Sequence, residues 1–481
     1  MTASIHPAPD PSSTKTKKPW RTLAAGLLLL GTAGSKMVYG APAHASSHGN
    51  AGGHSSGTVI ARLEASAKAK ASAPTATAKA TAQATATGNK EGTLVSATLL
   101  QRVPEKSVRT ELAGARLAPG APALGGGDVR YGVDAYRVTY RTVDANGRPV
   151  VASGLVAFPA GGAAGSAAAG SIAQSTRSSD VNHAIGLPVV SYDHGTTATS
   201  ADTPSSFGLG PDHAVEGRWS AELFASAGFA VTEPDYVGMG TGTGPIEYLI
   251  TKSEVTASAD LITAARTLAG EHGYTLQHKV LVTGFSEGGQ AAMALGRDLQ
   301  QQGELRALAP VSGPYELLTA ELPGLFNGQL DPAIQSYYVG YVLTTWNRSY
   351  GLYKNPAEAF RAPYANEMAR LFNGSQQDAT VIAKLPPTLD KLLTPKFYAW
   401  LQHPTGALRT AMQANDTCSG WRPDVPVKLF AASGDTTVTQ VNAEQCAQAI
   451  HVPVVQLGDV SHDVSDFVAL PQIVRWFQKL S

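Results

Sequence analysis

Lys279-Val280-Leu281-Val282-Thr283-Gly284-Phe285-Ser286-Glu287-Gly288-Gly289 is the stretch whose reading decides the fold. Its first five residues form a short apolar, β-branched run that reads as a buried strand. Gln290 to Leu299 reads as a helix, with small Ala291 and Ala292 permitting close packing. Between them, Gly284 to Gly288 matches G-x-S-x-G, the nucleophile elbow. Ser286 would sit on a tight strand-to-helix turn with strained backbone, where side chains at positions 284 and 288 would meet neighbouring backbone. A pattern with three fixed positions also arises by chance in a chain holding 49 glycines, as a plain turn closing a strand. The flanking strand and helix favour the elbow. They also place free amides and the positive end of a helix dipole behind the serine.

Outward from this stretch the pattern alternates. Short apolar runs at 187–192, 228–233, 280–283, 307–311, 427–431 and 452–457 read as strands. Helical patterns occupy 217–227, 255–272, 287–302, 441–450 and 463–480. Such alternation implies a mostly parallel sheet covered on both faces. Runs at 135–143 and 150–158, separated by Asn146-Gly147, read as an antiparallel hairpin leading into it. One segment, about 314–422, holds helical patterns and aromatic residues without a clear strand. It is expected to be an inserted helical cap over the strand ends. Its Tyr337, Tyr338, Tyr341, Trp346, Tyr350, Phe397, Tyr398 and Trp400 are read first as core.

A serine hydroxyl needs a base, and the base needs an orienting group. With the elbow first, the expected chain order is serine, acid, histidine. Asp435 follows the run ending at 431, and His462 follows the run ending at 457. Both would emerge at the strand ends, His462 as general base and Asp435 as orienting acid. Asp424 is the rival acid, and Asp435 could be a simple turn residue. Asp459 and Asp463 are read as solvating or capping, His451 as lying on the wrong side of the sheet, and His403 as part of the cap. An oxyanion hole requires two backbone donors. Glu287 N–H supplies one, and the loop Asp193-His194-Gly195-Thr196-Thr197 the other, through Thr196 with Gly195 or Thr197 as alternatives. His194 is read as holding this loop, and Asp235 as structural. No H-E-x-x-H, Rossmann or P-loop pattern occurs, so no metal site and no cofactor are expected.

The 481 residues carry 37 Lys plus Arg against 37 Asp plus Glu, which gives no general attraction to nucleic acid. An uncharged or apolar small-molecule substrate fits this balance better than a polyanion. Lys15, Lys17, Lys18 and Arg21 precede a short apolar run at 23–33, and Ala43-His44-Ala45 is a cleavage pattern. Residues 1–45 therefore read as a secretory signal. The apolar run is shorter than the ~20 residues of a membrane span, although an uncleaved anchor is the alternative. Residues 46–94, built from Ala, Thr, Ser, Gly and Lys, read as a disordered spacer, and 161–186 as a second low-complexity insert. The hydrolase domain would occupy 95–481. The chain has two cysteines, Cys418 and Cys446. In an exported chain a lone pair reads as a disulfide rather than two buried thiols.

Tyr136-Arg137-Val138-Thr139-Tyr140, Asp193-His194-Gly195-Thr196, Pro234-Asp235-Tyr236-Val237-Gly238-Met239-Gly240, the elbow and Ala309-Pro310-Val311-Ser312-Gly313-Pro314-Tyr315 together resemble the secretory lipase family and its bacterial relatives over roughly 95–481. The resemblance implies an α/β-hydrolase core, a helical cap and hydrolysis of esters with lipid-like acyl chains. It also favours Ser286, Asp435 and His462 as the triad. A serine peptidase on the same fold and a non-catalytic binding protein are the rival readings.

Overall fold

The computed structural model describes residues 90–114, 128–161, 186–209 and 213–481. The expected signal at 1–45, most of the expected spacer and nearly all of the insert at 161–186 lie outside the described residues.

Among the described residues, nine strands form one sheet. In chain order they are β1 (Leu94–Val103), β2 (Gly132–Val143), β3 (Pro149–Ala160), β4 (Leu187–Asp193), β5 (Ala230–Pro234), β6 (Leu276–Phe285), β7 (Leu305–Val311), β8 (Leu429–Ala431) and β9 (Val454–Gln456). Their spatial order is β1-β2-β3-β5-β4-β6-β7-β8-β9. The pairs β1–β2, β2–β3 and β3–β5 are antiparallel, and every pair from β5 to β9 is parallel. The exchange of β4 and β5 brings β4 directly beside β6. The loop after β4 therefore opens next to the loop after β6, where Ser286 stands.

Each strand follows from its residues. The expected β2–β3 hairpin is present, and Gly147 at φ 75° makes its turn. Asp144 Oδ1 accepts from the Asn146 and Arg148 amides, both at 2.9 Å, which fixes that turn. The central strands are buried on both faces, hence their continuous Val, Leu and Ala runs. Strand β1 was not expected. Most of it is exposed, so its sequence has no apolar face to reveal it.

The helices α1 (Glu105–Gly114), α2 (Val215–Ser226), α3 (Thr251–Glu271), α4 (Glu287–Gln301), α5 (Pro332–Tyr350), α6 (Pro395–Gln402), α7 (Gly406–Asn415), α8 (Gln440–Ile450) and α9 (His462–Gln478) complete the main framework. Among the described residues, separate apolar clusters lie on the sheet's faces. One unites Phe224, Trp219, Ile473 and Phe477 from α2 and α9. Another unites Ile262, Met293, Leu295 and Ile450 from α3, α4 and α8. Among the described residues between β7 and β8, nothing longer than an isolated bridge is extended. That segment is helical, as the absence of strand patterns implies. Its own core gathers Tyr337, Tyr341, Trp346, Phe360, Phe372 and Phe397, and it includes Tyr248 and Leu249 from the loop after β5. Burial of each such side chain contributes roughly 1.5–3 kcal/mol.

Cys418 and Cys446 are bonded. The bridge ties the chain leaving the helical insertion to α8. It closes a loop of 28 residues' separation, worth on the order of 3 kcal/mol in the chain-entropy picture. A reducing agent is therefore expected to lower the melting temperature by several degrees. A Cys418→Ser/Cys446→Ser variant should melt at that lower temperature and no longer respond to reductant.

Candidate active site

The turn after β6 explains its glycines. Ser286 sits at φ 57° and ψ −120°, a region that costs a non-glycine residue on the order of 1–3 kcal/mol. Its amide donates to Val311 O at 3.0 Å, and its carbonyl accepts from Gly289 N at 2.8 Å. These bonds hold the strained residue between β7 and α4. A Cβ on Gly284 would lie 2.3 Å from Gly288 O, and one on Gly288 would lie 1.8 Å from Asp193 O. A Cβ on Gly289 would lie 2.6 Å from Val311 O. All three glycines let backbone approach backbone, so the elbow is packed against the ends of both β4 and β7.

Asp435 follows β8, and His462 opens α9 after β9. Ser433 N donates to Gly458 O at 2.9 Å, which pins the two loops together. Asp435 Oδ1 accepts from Thr437 N and Val438 N, each at 2.9 Å. With one oxygen so anchored, Oδ2 is aimed at His462 Nδ1, 2.7 Å away. His462 Nε2 then lies 2.8 Å from Ser286 Oγ. All three side chains are buried. The geometry thus puts the three residues in one hydrogen-bonded chain, with His462 donating to Asp435 and accepting from Ser286. The Phe285 ring packs on the imidazole at 4.7 Å. Burial alone would lower the His462 pKa. The charge and hydrogen bond of Asp435, helped by Asp463 and Glu321, outweigh burial and raise it.

The other candidates fall elsewhere. Asp424 is exposed, and its amide donates to Gln300 Oε1 at the far end of α4. His451 caps the C-terminus of α8 beside Arg422. His403 is exposed in the helical insertion. Asp235 binds Ser153 Oγ at 2.5 Å and Ser205 N at 2.9 Å, a structural role. His194 stacks on Tyr236 at 4.5 Å, and Tyr236 OH donates to His194 O at 3.0 Å. It steadies its loop, and it has no contact with the Ser286 chain.

That loop narrows the oxyanion alternatives. Gly195 N already donates to Glu216 Oε1 at 2.7 Å, which removes it as a free donor. Thr196 lines the same cavity as Ser286 and Glu287. This cavity runs from Ser286 into the helical insertion. Its walls include Leu317, Leu322, Val339, Leu343, Leu401 and Met412.

What the sequence did not reveal is a set of buried carboxyls behind the site. Burial pushes Asp193 and Glu216 up to about 7 and Glu287 to about 8, and it raises Glu233 and Asp466 well above their usual range. Glu216 stands in the first turn of a helix, where an acid reads as ordinary dipole compensation. These groups keep protons in the folded state that the unfolded chain releases near pH 4. Their contribution is therefore fully present below that value and is lost as pH rises towards the folded values. The melting temperature is expected to fall steadily between about pH 5 and pH 8. A flat or rising profile would show that these carboxyls are ionised in the folded protein.

Among the described residues, no group of His, Cys, Asp and Glu is arranged to hold a metal ion, and no helix is long and apolar enough to cross a membrane.

No protein-family model and no curated protein matches the chain. Solved structures do. The rice cell wall degrading esterase LipA from Xanthomonas oryzae superposes with a TM-score of 0.66 at 24% identity, over 80% of this chain and 97% of that one. A protein from Legionella pneumophila gives 0.68 at 21% identity, over 80% and 98%. Lipase A from Candida antarctica in its closed state gives 0.50 at 15% identity, over 81% and 82%. At such identities the likeness is one of architecture. Together with the strand order, the elbow after β6 and the helical insertion after β7, it shows that this chain has the α/β-hydrolase fold.

Proposed function

We propose that the chain is an exported serine carboxylester hydrolase working through an acyl-enzyme on Ser286. The observation that carries this reading is the Asp435–His462–Ser286 chain, at 2.7 and 2.8 Å, opening onto an apolar cavity. In the reaction, His462 Nε2 takes the Ser286 proton as Oγ attacks the ester carbonyl. The amides of Glu287 and Thr196 hold the tetrahedral oxyanion. Collapse expels the alcohol, which receives the proton from His462. A water then enters and loses its proton to His462 as it attacks the acyl carbon; collapse breaks the bond to Oγ, which takes that proton back from His462, and the acid leaves. Asp435 stabilises the imidazolium in both halves and fixes the tautomer. No cofactor is required.

The cavity supports a lipid-like acyl chain. Its walls are largely aliphatic. Export is supported by the signal pattern at 1–45, the spacer composition at 46–94 and the Cys418–Cys446 bond.

A panel of nitrophenyl esters against aminoacyl nitroanilides tests the ester assignment. Ester turnover that peaks on a medium or long acyl chain is the expected result. Faster turnover of the anilides would make the chain a serine peptidase.

A further inference from the structure

Glu216 stands in the first turn of α2, yet its carboxyl is engaged inside the protein. Its Oε1 accepts the Gly195 amide at 2.7 Å and the Tyr192 hydroxyl at 2.8 Å. The Gly195 amide shares one peptide plane with the His194 carbonyl, and that carbonyl accepts from Tyr236 OH at 3.0 Å. One peptide unit is thus gripped at both edges. A Cβ on Gly195 would lie 3.0 Å from Phe285 Cδ1 and 3.1 Å from Glu216 Oε2. The loop after β4 is therefore clamped between the residue before Ser286 and the Glu216 carboxyl.

The clamp falls where aim matters. Thr196 follows Gly195 directly, and its N–H is the second oxyanion donor of the serine-hydrolase reading. Glycine has the freest backbone of any residue, so residue 195 by itself does not fix where the next amide points. Its two neighbouring peptides must be held from outside. Glu216 and Tyr236 hold the first. His194 Nδ1, 2.6 Å from Gly195 O, holds the second, whose N–H is that of Thr196.

Glu216 is itself tied down. Tyr192 OH also lies 3.2 Å from Asp466 Oδ2. A phenol has one proton to give, so it donates to one carboxyl and the other must supply its own. The shorter contact marks Glu216 as the acceptor and Asp466 as the donor. Asp466 is wholly buried and its other oxygen has no partner, a setting that favours the neutral acid. It stands on α9, one turn after His462. A run of hydrogen bonds thus leads from the helix carrying the base to the loop carrying the oxyanion donor.

Resting on the serine-hydrolase reading, we infer that Glu216 is a positioning residue: it aims the Thr196 amide at the oxyanion by holding the Gly195 peptide, and Tyr192 and Asp466 lock it to the helix that carries His462. None of the three lines the acyl cavity, so substrate binding should be spared.

The test is kcat and KM for a nitrophenyl ester, together with Ki for an alkyl trifluoromethyl ketone. Ser286 Oγ adds to the ketone carbonyl, its proton passes to His462, and the hemiketal oxyanion takes the place of the ester's tetrahedral one. Glu216→Gln keeps an oxygen for Gly195 and Tyr192, so kcat and Ki should stay within about threefold of wild type. Glu216→Leu keeps the bulk without an acceptor. Its kcat should fall about tenfold to a hundredfold at unchanged KM, and Ki should rise by a like factor. Unchanged kcat and Ki in Glu216→Leu, a loss confined to KM, or a Gln variant as impaired as the Leu one overturns the proposal. If Glu216→Leu does not fold, Tyr192→Phe takes its place. It keeps the ring, removes one bond to Glu216, and should show the same pattern at about threefold or more; unchanged kcat and Ki there would overturn the proposal instead. Labelling of wild-type Ser286 by a fluorophosphonate separates the two layers. No labelling sinks the serine-hydrolase reading itself, whereas a labelled wild type beside an unimpaired Glu216→Leu sinks the role of Glu216 alone.

Discussion

Replacing Ser286 by Ala is expected to lower kcat/KM on a nitrophenyl ester by about 10⁴- to 10⁶-fold, and His462→Ala by a similar factor. Each removes one end of a relay in which neither partner works alone. Without Oγ no acyl-enzyme forms. Without the imidazole, the hydroxyl must attack with its proton still attached. The two losses should not add. The double variant is expected to match either single one, because the residues act as a unit. Stability separates the two variants. Ser286→Ala deletes one oxygen from a residue already held by its backbone, so its melting should match the wild type. His462→Ala leaves a hole beside Phe285 and Asp435, and a modest fall in melting temperature is expected. Asp435→Asn should cost about 10⁴-fold, since an amide can present the wrong face to Nδ1. Its acid limb should also move to lower pH, because the raised His462 pKa depends on the Asp435 charge. If any of these variants kept most of its activity on purified, folded protein, the assignment of the relay would be wrong.

The second large effect concerns a residue without a side chain. Gly288→Ala would set its Cβ 1.8 Å from Asp193 O and 2.6 Å from His194 O. All of the opposing atoms are backbone, so no rotamer can relieve the contact. Either α4 backs away from the sheet or the end of β4 shifts. Overpacking of this kind costs about 3 kcal/mol. The displaced segment is also the one that carries Thr196. Gly288→Ala should therefore lose both stability and kcat, whereas Ser286→Ala loses only activity. Gly303→Ala is a useful control, because no atom lies within 4 Å of its added Cβ and its cost comes from the φ of 73° alone. Thermal melting and ester turnover on the three variants check the pattern. Equal stability of Gly288→Ala and wild type would mean that the elbow is looser than the structure shows.

The fold was legible where local rules and global packing agree. The elbow can be read from five residues because each glycine answers a contact within a few ångströms. Alternation announced a mostly parallel sheet, but the step that puts β4 beside β6 is seen only in the structure. Asp435 and His462 were legible because each stands just past a short apolar run. The buried carboxyls were not. Glu216 stands in a helix's first turn, a position where acids are normally solvated. Only the tertiary structure brings it onto the Gly195 amide. Strand β1 escaped for the opposite reason: its exposure leaves no periodic signature. The helical insertion could be recognised by the absence of strands, but its aromatics could not be divided into core and cavity wall. In the structure Tyr341 belongs to the core, Tyr338 reaches the cavity, and Trp346 does both.

The central claim is that Ser286 is an activated nucleophile and not merely a serine in a tight turn. The most direct measurement is reaction of the purified protein with a fluorophosphonate, followed by peptide mass mapping. Stoichiometric labelling on Ser286, abolished in Ser286→Ala and strongly slowed in His462→Ala, is the result this account predicts. An unlabelled wild type, or label on another residue that survives in Ser286→Ala, would contradict it.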